Sequence, residues 1–283
     1  MKKNFKFLLV SLLAMLTSAV YAAAPSAGGT WTDDNFSYTI ASVDLIAKTG
    51  TIKIAPNGTL SGEITILGSV VKKYDDDNYT FTINQIADNA FEGQVSITKV
   101  TFPVEMMVIG QEAFKGCTLL SEIVFPTGSK LATLGSKAFA ETQIVNPDFS
   151  NCTKLAGLPG YLFTLGDGMT NSYVKTVTLP TTATFKTVET SLAGLVNLES
   201  TNITDTKINI VKEGAFKNTS SIAKKLTALE LPATVVTIEK AAFQGSLIAD
   251  LTINVDAISD DESKAIGNNS NPVYGTSTGV LKT

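Results

Sequence analysis

Ile109-Gly-Gln-Glu-Ala-Phe-Lys-Gly-Cys-Thr-Leu-Leu-Ser-Glu-Ile-Val-Phe-Pro126 falls into two halves. The first is Ile109, three variable residues, then Ala113-Phe114. The second places Leu120, Ile123 and Phe125 on a short apolar pattern that stops at Pro126. Nearly everything between residues 86 and 255 is this unit again with variations. The first half recurs as Ile86…Ala90-Phe91, Leu134…Ala138-Phe139, Leu158…Leu162-Phe163, Val188…Leu192-Ala193, Val211…Ala215-Phe216 and Ile238…Ala242-Phe243. The seven starts, Ile109 included, are 23, 25, 24, 30, 23 and 27 residues apart.

The second half keeps the same phase. Val100-x-Phe102-Pro103, Ile123-x-Phe125-Pro126, Pro147-x-Phe149 and Val177-x-Leu179-Pro180 are followed by Thr201-x-Ile203, Leu229-x-Leu231-Pro232 and Leu251-x-Ile253. Residues two apart share one face of a strand, and a proline that cannot donate to a ladder ends it. The period lies in the leucine-rich-repeat range. A single such turn cannot bury its apolar side, so turns must stack. The expected fold is a β-rich repeat solenoid, a leucine-rich-repeat-like right-handed coil. It has one short strand and one compact Phe-bearing bend per turn, over about seven turns. Phe91, Phe114, Phe139, Phe163, Phe216 and Phe243 should form an interior ladder, with the Leu192-Ala193 turn irregular. The polar insertions after Phe163 and Phe216 should bulge from one edge.

The flanks divide the chain further. Lys2, Lys3 and Lys6 precede an apolar run from Phe7 to Leu16 and a small-x-small site ending at Ala22. That pattern predicts a signal peptide over residues 1–22, with an apolar run shorter than the ~20 residues of a membrane span. Residues 23–85 read as a β-rich N-terminal cap, with strands at Asn35-Phe-Ser-Tyr-Thr-Ile40, Gly62-Glu-Ile-Thr-Ile66 and Tyr79-Thr-Phe-Thr-Ile83. The repeats fill 86–255, and 256–283 is a C-terminal cap or tail. The chain has no histidine and no arginine, and its formal charge is −4. That excludes His-based catalysis and argues against nucleic acid, which is met by clustered Lys and Arg. No nucleophile elbow, phosphate loop or metal motif is present, so neither an enzyme nor a cofactor is expected.

Ile-Gly-x-x-Ala-Phe-x-Gly-Cys…Leu-x-x-Ile-x-Phe-Pro resembles the BspA-like leucine-rich repeat family of secreted and surface proteins of Bacteroides-type bacteria. The run from Val211-Lys-Glu-Gly-Ala-Phe216 through Leu226-Thr-Ala-Leu-Glu-Leu-Pro232 is also similar to it. The resemblance covers roughly residues 60 to 255. It implies extracellular display and binding, with no shared catalytic residues.

Function is therefore sought at the positions the repeat leaves variable. On each strand these are Lys99 and Thr101, Glu122 and Val124, Asn146 and Asp148, Thr176 and Thr178, Ser200 and Asn202, Ala228 and Glu230, Asp250 and Thr252. Two readings of this stripe stay open: an ordinary solvated face, and a protein-binding face of modest affinity. The expected partner is an extracellular protein, and adhesion is the expected role. A glycan-binding accessory protein and a structural surface or matrix component are the alternatives. A glycan site should use exposed aromatics, and Trp31, Tyr161, Tyr173 and Tyr274 are scattered. Asp75-Asp-Asp-Asn78 reads as a hairpin turn rather than a calcium loop, and Asp33-Asp34 as solvated charge. Cys117 and Cys152 stand half a repeat out of phase, which predicts two buried, unpaired thiols.

Overall fold

The computed structural model describes residues 24–166, 169–218, 225–239, 241–248, 250–253 and 280–282. The expected leader and Tyr274 lie outside them. Among the described residues the chain is almost wholly strand and turn, with two three-residue 3-10 turns, Thr190–Leu192 and Ile203–Asp205.

The N-terminal region holds six strands: β1 (Thr30–Thr32), β2 (Phe36–Asp44), β3 (Thr49–Pro56), β4 (Ser61–Thr65), β5 (Ser69–Tyr74) and β6 (Asp77–Ile86). The three runs expected from alternation correspond to β2, β4 and β6, with Asn35 and Ile66 one residue outside their strands. Strands β3 and β5 add to them. β1, β2 and β3 pair antiparallel, and β5 forms a hairpin with β6 in which Tyr74 pairs with Asp77. The expected hairpin turn is thus present at Asp75 and Asp76, with Asp77 and Asn78 opening β6, and Asp75 adopts a left-handed φ of 52°. Asp33 departs from expectation. Its carboxylate accepts the Asn35 and Phe36 N–H groups at 2.8 and 2.7 Å and the Tyr38 hydroxyl at 2.6 Å, so it is a turn anchor rather than solvated charge.

The repeats add β7 (Ser96–Thr101), β8 (Val108–Ile109), β9 (Glu122–Val124), β10 (Thr133–Leu134), β11 (Gly157–Leu158), β12 (Thr176–Val177), β13 (Thr187–Val188), β14 (Ser200–Thr201), β15 (Ile210–Val211), β16 (Ala228–Glu230), β17 (Thr237–Ile238) and β18 (Asp250–Thr252). A last strand, β19 (Val280–Lys282), pairs parallel to β18. These strands correct the expectation of one strand per turn. Each regular repeat carries two, one at the Leu-x-x-Ile-x-Phe half and one at the Ile that opens the bend. Within each column they pair in parallel with their counterparts in the neighbouring repeat, and the columns are interrupted between β9 and β12, β10 and β11, and β14 and β16. β4, β7 and β9 form one column, and β3, β6, β8 and β10 the other. The N-terminal strands therefore supply the first rung of both.

The bends form a third hydrogen-bonded column. The Phe91 N–H donates to the Ala113 carbonyl at 2.7 Å, Phe114 to Ala138 at 2.8 Å and Phe139 to Leu162 at 3.0 Å. The bend turns on left-handed residues. One stands two residues before the Phe, ahead of Ala in each of these repeats but the fourth, where Leu162 follows: Asn89 (φ 56°), Glu112 (52°), Lys137 (57°), Tyr161 (55°), Gly214 (67°) and Ala241 (52°). A second stands two after the Phe, at Gly93, Gly116, Glu141 and Gly245. Glycine reaches this region without a Cβ penalty, which accounts for the Phe-x-Gly of the repeat.

The expected ring ladder is present. Phe91 stacks on Phe114 with centroids 4.7 Å apart, Phe114 on Phe139 at 5.6 Å, Phe139 on Phe163 at 6.4 Å and Phe216 on Phe243 at 5.2 Å. It is interrupted at the repeat singled out as irregular, where Thr190–Leu192 is a 3-10 turn and Leu192 is buried in place of a ring. A second aromatic column runs through Phe102, Phe125 and Phe149, with centroids 4.7 and 5.6 Å apart, and Phe102 meets Phe114 edge-on at 5.8 Å. Burying one such side chain contributes about 1.5–3 kcal/mol, so each ring of the two columns adds substantially to the core.

Two of the breaks in the strand columns fall at prolines. Gly110, Gly135, Glu189, Lys212 and Glu239 follow their strands, and each donates its N–H to the strand carbonyl of the repeat before. The residue after Leu158 is Pro159, which has no N–H to offer Leu134, and no pairing joins β10 to β11. Pro147 similarly reduces the third repeat's strand to a bridge between Asp148 and Thr178.

Candidate functional site

The apolar residues expected to face inward do so: Val100, Phe102, Ile123, Phe125, Phe149, Val177, Leu179, Ile203, Leu229, Leu231, Leu251 and Ile253 are buried. Their neighbours project outward. Glu122, Asn146, Asp148, Ser200, Ala228, Glu230, Asp250 and Thr252 are exposed, while Lys99, Thr101, Val124, Thr176, Thr178 and Asn202 are half-buried.

In-register pairing brings these positions together in groups. Lys99 sits opposite Glu122 and Thr101 opposite Val124. Thr176 sits opposite Ser200, Ala228 opposite Asp250, and Glu230 opposite Thr252. The Lys99 ammonium and the Glu122 carboxylate lie 2.7 Å apart, and the hydrogen bond that the ammonium donates to Glu122 raises the lysine pKa. The Thr176 hydroxyl donates to the Asn146 side-chain oxygen at 3.0 Å. The result is a polar strip that carries the Lys99–Glu122 ion pair and the carboxylates of Asp148 and Glu230.

Asn202 does not share the freedom of the other stripe positions. Its side-chain oxygen accepts the Leu179 N–H at 2.7 Å, and its amide nitrogen donates to the Leu179 carbonyl at 3.1 Å. The amide thus makes the two bonds a paired strand residue would make, and it ends the β12–β14 pairing. Asn202→Ala would leave both polar groups of Leu179, a residue 0% exposed, without partners. Such losses cost about 1–3 kcal/mol. A fall of that size in the unfolding free energy, read by urea titration, is expected, with no comparable fall for Ser200→Ala.

The scattered aromatics take different places. Trp31 stacks on Tyr38 at 5.1 Å, with the Lys72 ammonium 5.9 Å from its ring centre, and packs against the core. Tyr161 is half-buried at its left-handed bend position, whereas Tyr173 is 45% exposed.

The chain matches the BspA type leucine-rich repeat region in six copies, over residues 84–223 and 149–271. It belongs to the BspA-type leucine-rich repeat family. Three solved structures are similar to it. A leucine-rich cell surface protein of Faecalibacterium prausnitzii is 20% identical with a TM-score of 0.53, and the match covers 82% of this chain and 56% of that one. This chain therefore spans a little over half that protein's length. The pneumococcal vaccine antigen PcpA is 16% identical over 86% of this chain and 70% of its own, with a TM-score of 0.44. A leucine-rich repeat protein of T. pallidum is 20% identical over 78% of this chain and 90% of its own, with a TM-score of 0.40. No curated protein matches the sequence.

The BspA-type signature residues are occupied by structure. Ile109, Ala113, Phe114, Leu120 and Cys117 are 0% exposed. Cys117 and Cys152 are both free and buried, as their phase predicts. The Cys117 thiol donates to the Phe91 carbonyl at 3.1 Å, so the cysteine of this repeat type ties one turn to the next. Burial pushes both thiols up to about 12. The thiolate is the reactive form, and its fraction is negligible below that pH. A thiol reagent at pH 8 is expected to label neither cysteine in the native protein and both in denaturant.

Proposed function

We propose that the protein is an exported, non-catalytic binding module that engages an extracellular protein through the outward stripe of its strand columns, in adhesion or attachment. The observation that carries this reading is the division of labour in each repeat. Backbone groups and apolar side chains are consumed by stacking, while the stripe positions vary and project to solvent. Membership of the BspA-type family supports it, as does the description of the Faecalibacterium relative as a cell surface protein. No helix among the described residues is long and apolar enough to cross a membrane.

The architecture that fits this role is a continuous right-handed solenoid over residues 86–255. Residues 23–85 form its N-terminal cap, 256–283 close or trail its far end, and residues 1–22 are removed on export. The parallel in-register columns and the first rungs given by β3 and β4 support that division. Binding of the full chain to a panel of purified extracellular-matrix and bacterial surface proteins tests the function. At least one is expected to bind saturably. Absence of binding to all of them, with the protein recovered instead as an insoluble envelope or matrix component, would overturn the reading.

A further inference from the structure

The polar insertion after Phe163 builds a groove of about 290 Å³ from three successive repeats. Thr118 comes from the second repeat, Glu141 and Gln143 from the third, and Met169 and Tyr173 from the insertion in the fourth. None belongs to the stripe. Thr164 also lines the groove, 3% exposed, and its hydroxyl has no protein partner.

The insertion is held in place by Asn171. Its side-chain oxygen accepts the Tyr173 and Val174 N–H groups at 2.8 and 3.1 Å, and its amide donates to the Phe163 carbonyl at 3.3 Å. Its own N–H donates to the Gly194 carbonyl at 2.9 Å. Tyr173 and Met169 are thereby presented at the groove, 45% and 54% exposed. The side chains of Glu141, Gln143 and Thr118 take no hydrogen bond or ion pair among the described residues.

These features select a ligand class. Several main-chain donors at the groove are already used: the Gln143 N–H donates to the Leu120 carbonyl, and those of Asn171 and Tyr173 are bound as above. A peptide recognised through its backbone needs such groups free. What remains is an aromatic face beside a carboxylate acceptor, an amide carrying both donor and acceptor, and a hydroxyl. That set complements a sugar ring, whose C–H face stacks and whose hydroxyls need both donors and acceptors. A volume near the lower end of small-molecule sites, about 300 Å³, holds roughly one or two such rings. Among the described residues Glu141 is the lone charged side chain in the lining, and a carboxylate disfavours an anionic ligand.

We propose that this groove is a binding site for a neutral saccharide, separate from the strand stripe and independent of its function. The test is an array of neutral, sialylated and sulfated oligosaccharides probed with the full chain, followed by titration of the bound glycans. Neutral glycans are expected to bind and acidic ones not. Tyr173→Ala and Gln143→Ala should each weaken binding tenfold or more, with the unfolding midpoint unchanged because both side chains reach solvent. Glu122→Lys in the stripe should leave it unchanged, so failure here and failure of the stripe reading are distinguishable. Binding of no glycan, binding of acidic glycans alone, or hits that survive both groove substitutions would overturn the proposal. Loss of a polypeptide ligand in the groove variants, with no glycan bound, would overturn it too and assign the groove to a protein.

Discussion

Phe114→Ala is expected to remove about 3–5 kcal/mol of stability, the usual cost of deleting a fully buried aromatic side chain. Phe114 is 0% exposed and stands where the two ring columns meet. It stacks between Phe91 and Phe139 and receives the edge of Phe102. Truncation therefore opens a cavity bounded by three rings from three other places in the repeat array. Those rings belong to backbone columns fixed by parallel hydrogen bonds, so the walls cannot collapse far. A urea titration of the full chain should show the loss as an earlier midpoint. Because stability in a repeat array is a sum of unit and interface terms, the repeats around residues 86–163 are expected to unfold ahead of those around Phe216 and Phe243. Amide exchange resolved by peptide would show that ordering.

Gly135→Ala should be comparably severe for a different reason. A Cβ built there would lie 2.2 Å from the Gln111 nitrogen, 2.4 Å from the Gln111 Cα and 2.4 Å from the Gly110 carbonyl carbon. All three atoms are backbone of the preceding repeat, so relief requires the two turns to separate. Overpacking typically costs 1–3 kcal/mol, and a clash against backbone is expected to reach about 3 kcal/mol or more. The comparison is Gly68→Ala, where the nearest heavy atom to the added carbon is 3.8 Å away on Pro103. That change should move the urea midpoint by the equivalent of less than about 0.5 kcal/mol. Equal effects at the two sites would mean that repeat spacing at Gly135 is not set by backbone contact.

The ring ladder was legible because a 23–30-residue period marks every Phe. The disturbed turn was legible because Leu192-Ala193 reverses the large and small residues. The second strand of each repeat was not. Val108–Ile109 and Thr133–Leu134 are two residues long, too short for alternation to register, and they are strands only because a neighbouring repeat pairs with them. The left-handed bend positions were half legible: Gly93, Gly116 and Gly214 announce them, whereas Glu112, Lys137 and Tyr161 do not. The outward direction of the stripe followed from alternation alone; the half-burial of Lys99, Thr101, Val124, Thr176 and Thr178 did not, nor did Asn202, whose amide substitutes for a strand. Nothing in the sequence places Thr118, Gln143 and Tyr173 together, because their proximity arises from stacking of repeats and from one insertion folded back by Asn171.

The stripe therefore differs in kind from the signature residues around it. Ile109, Ala113, Phe114 and Leu120 are explained by packing, and Gly116 by backbone conformation. Glu122 and Glu230 have no comparable structural duty beyond a surface ion pair at Glu122, which is worth at most about 1 kcal/mol. The most direct measurement is the affinity of the full chain carrying Glu122→Lys and Glu230→Lys for each extracellular protein that the unaltered chain binds. A control carries Lys186→Glu, an exposed residue outside the stripe. A tenfold or greater loss in the stripe variant, with the control and the unfolding midpoint unchanged, is the predicted result. Undiminished affinity for every such partner would contradict the account.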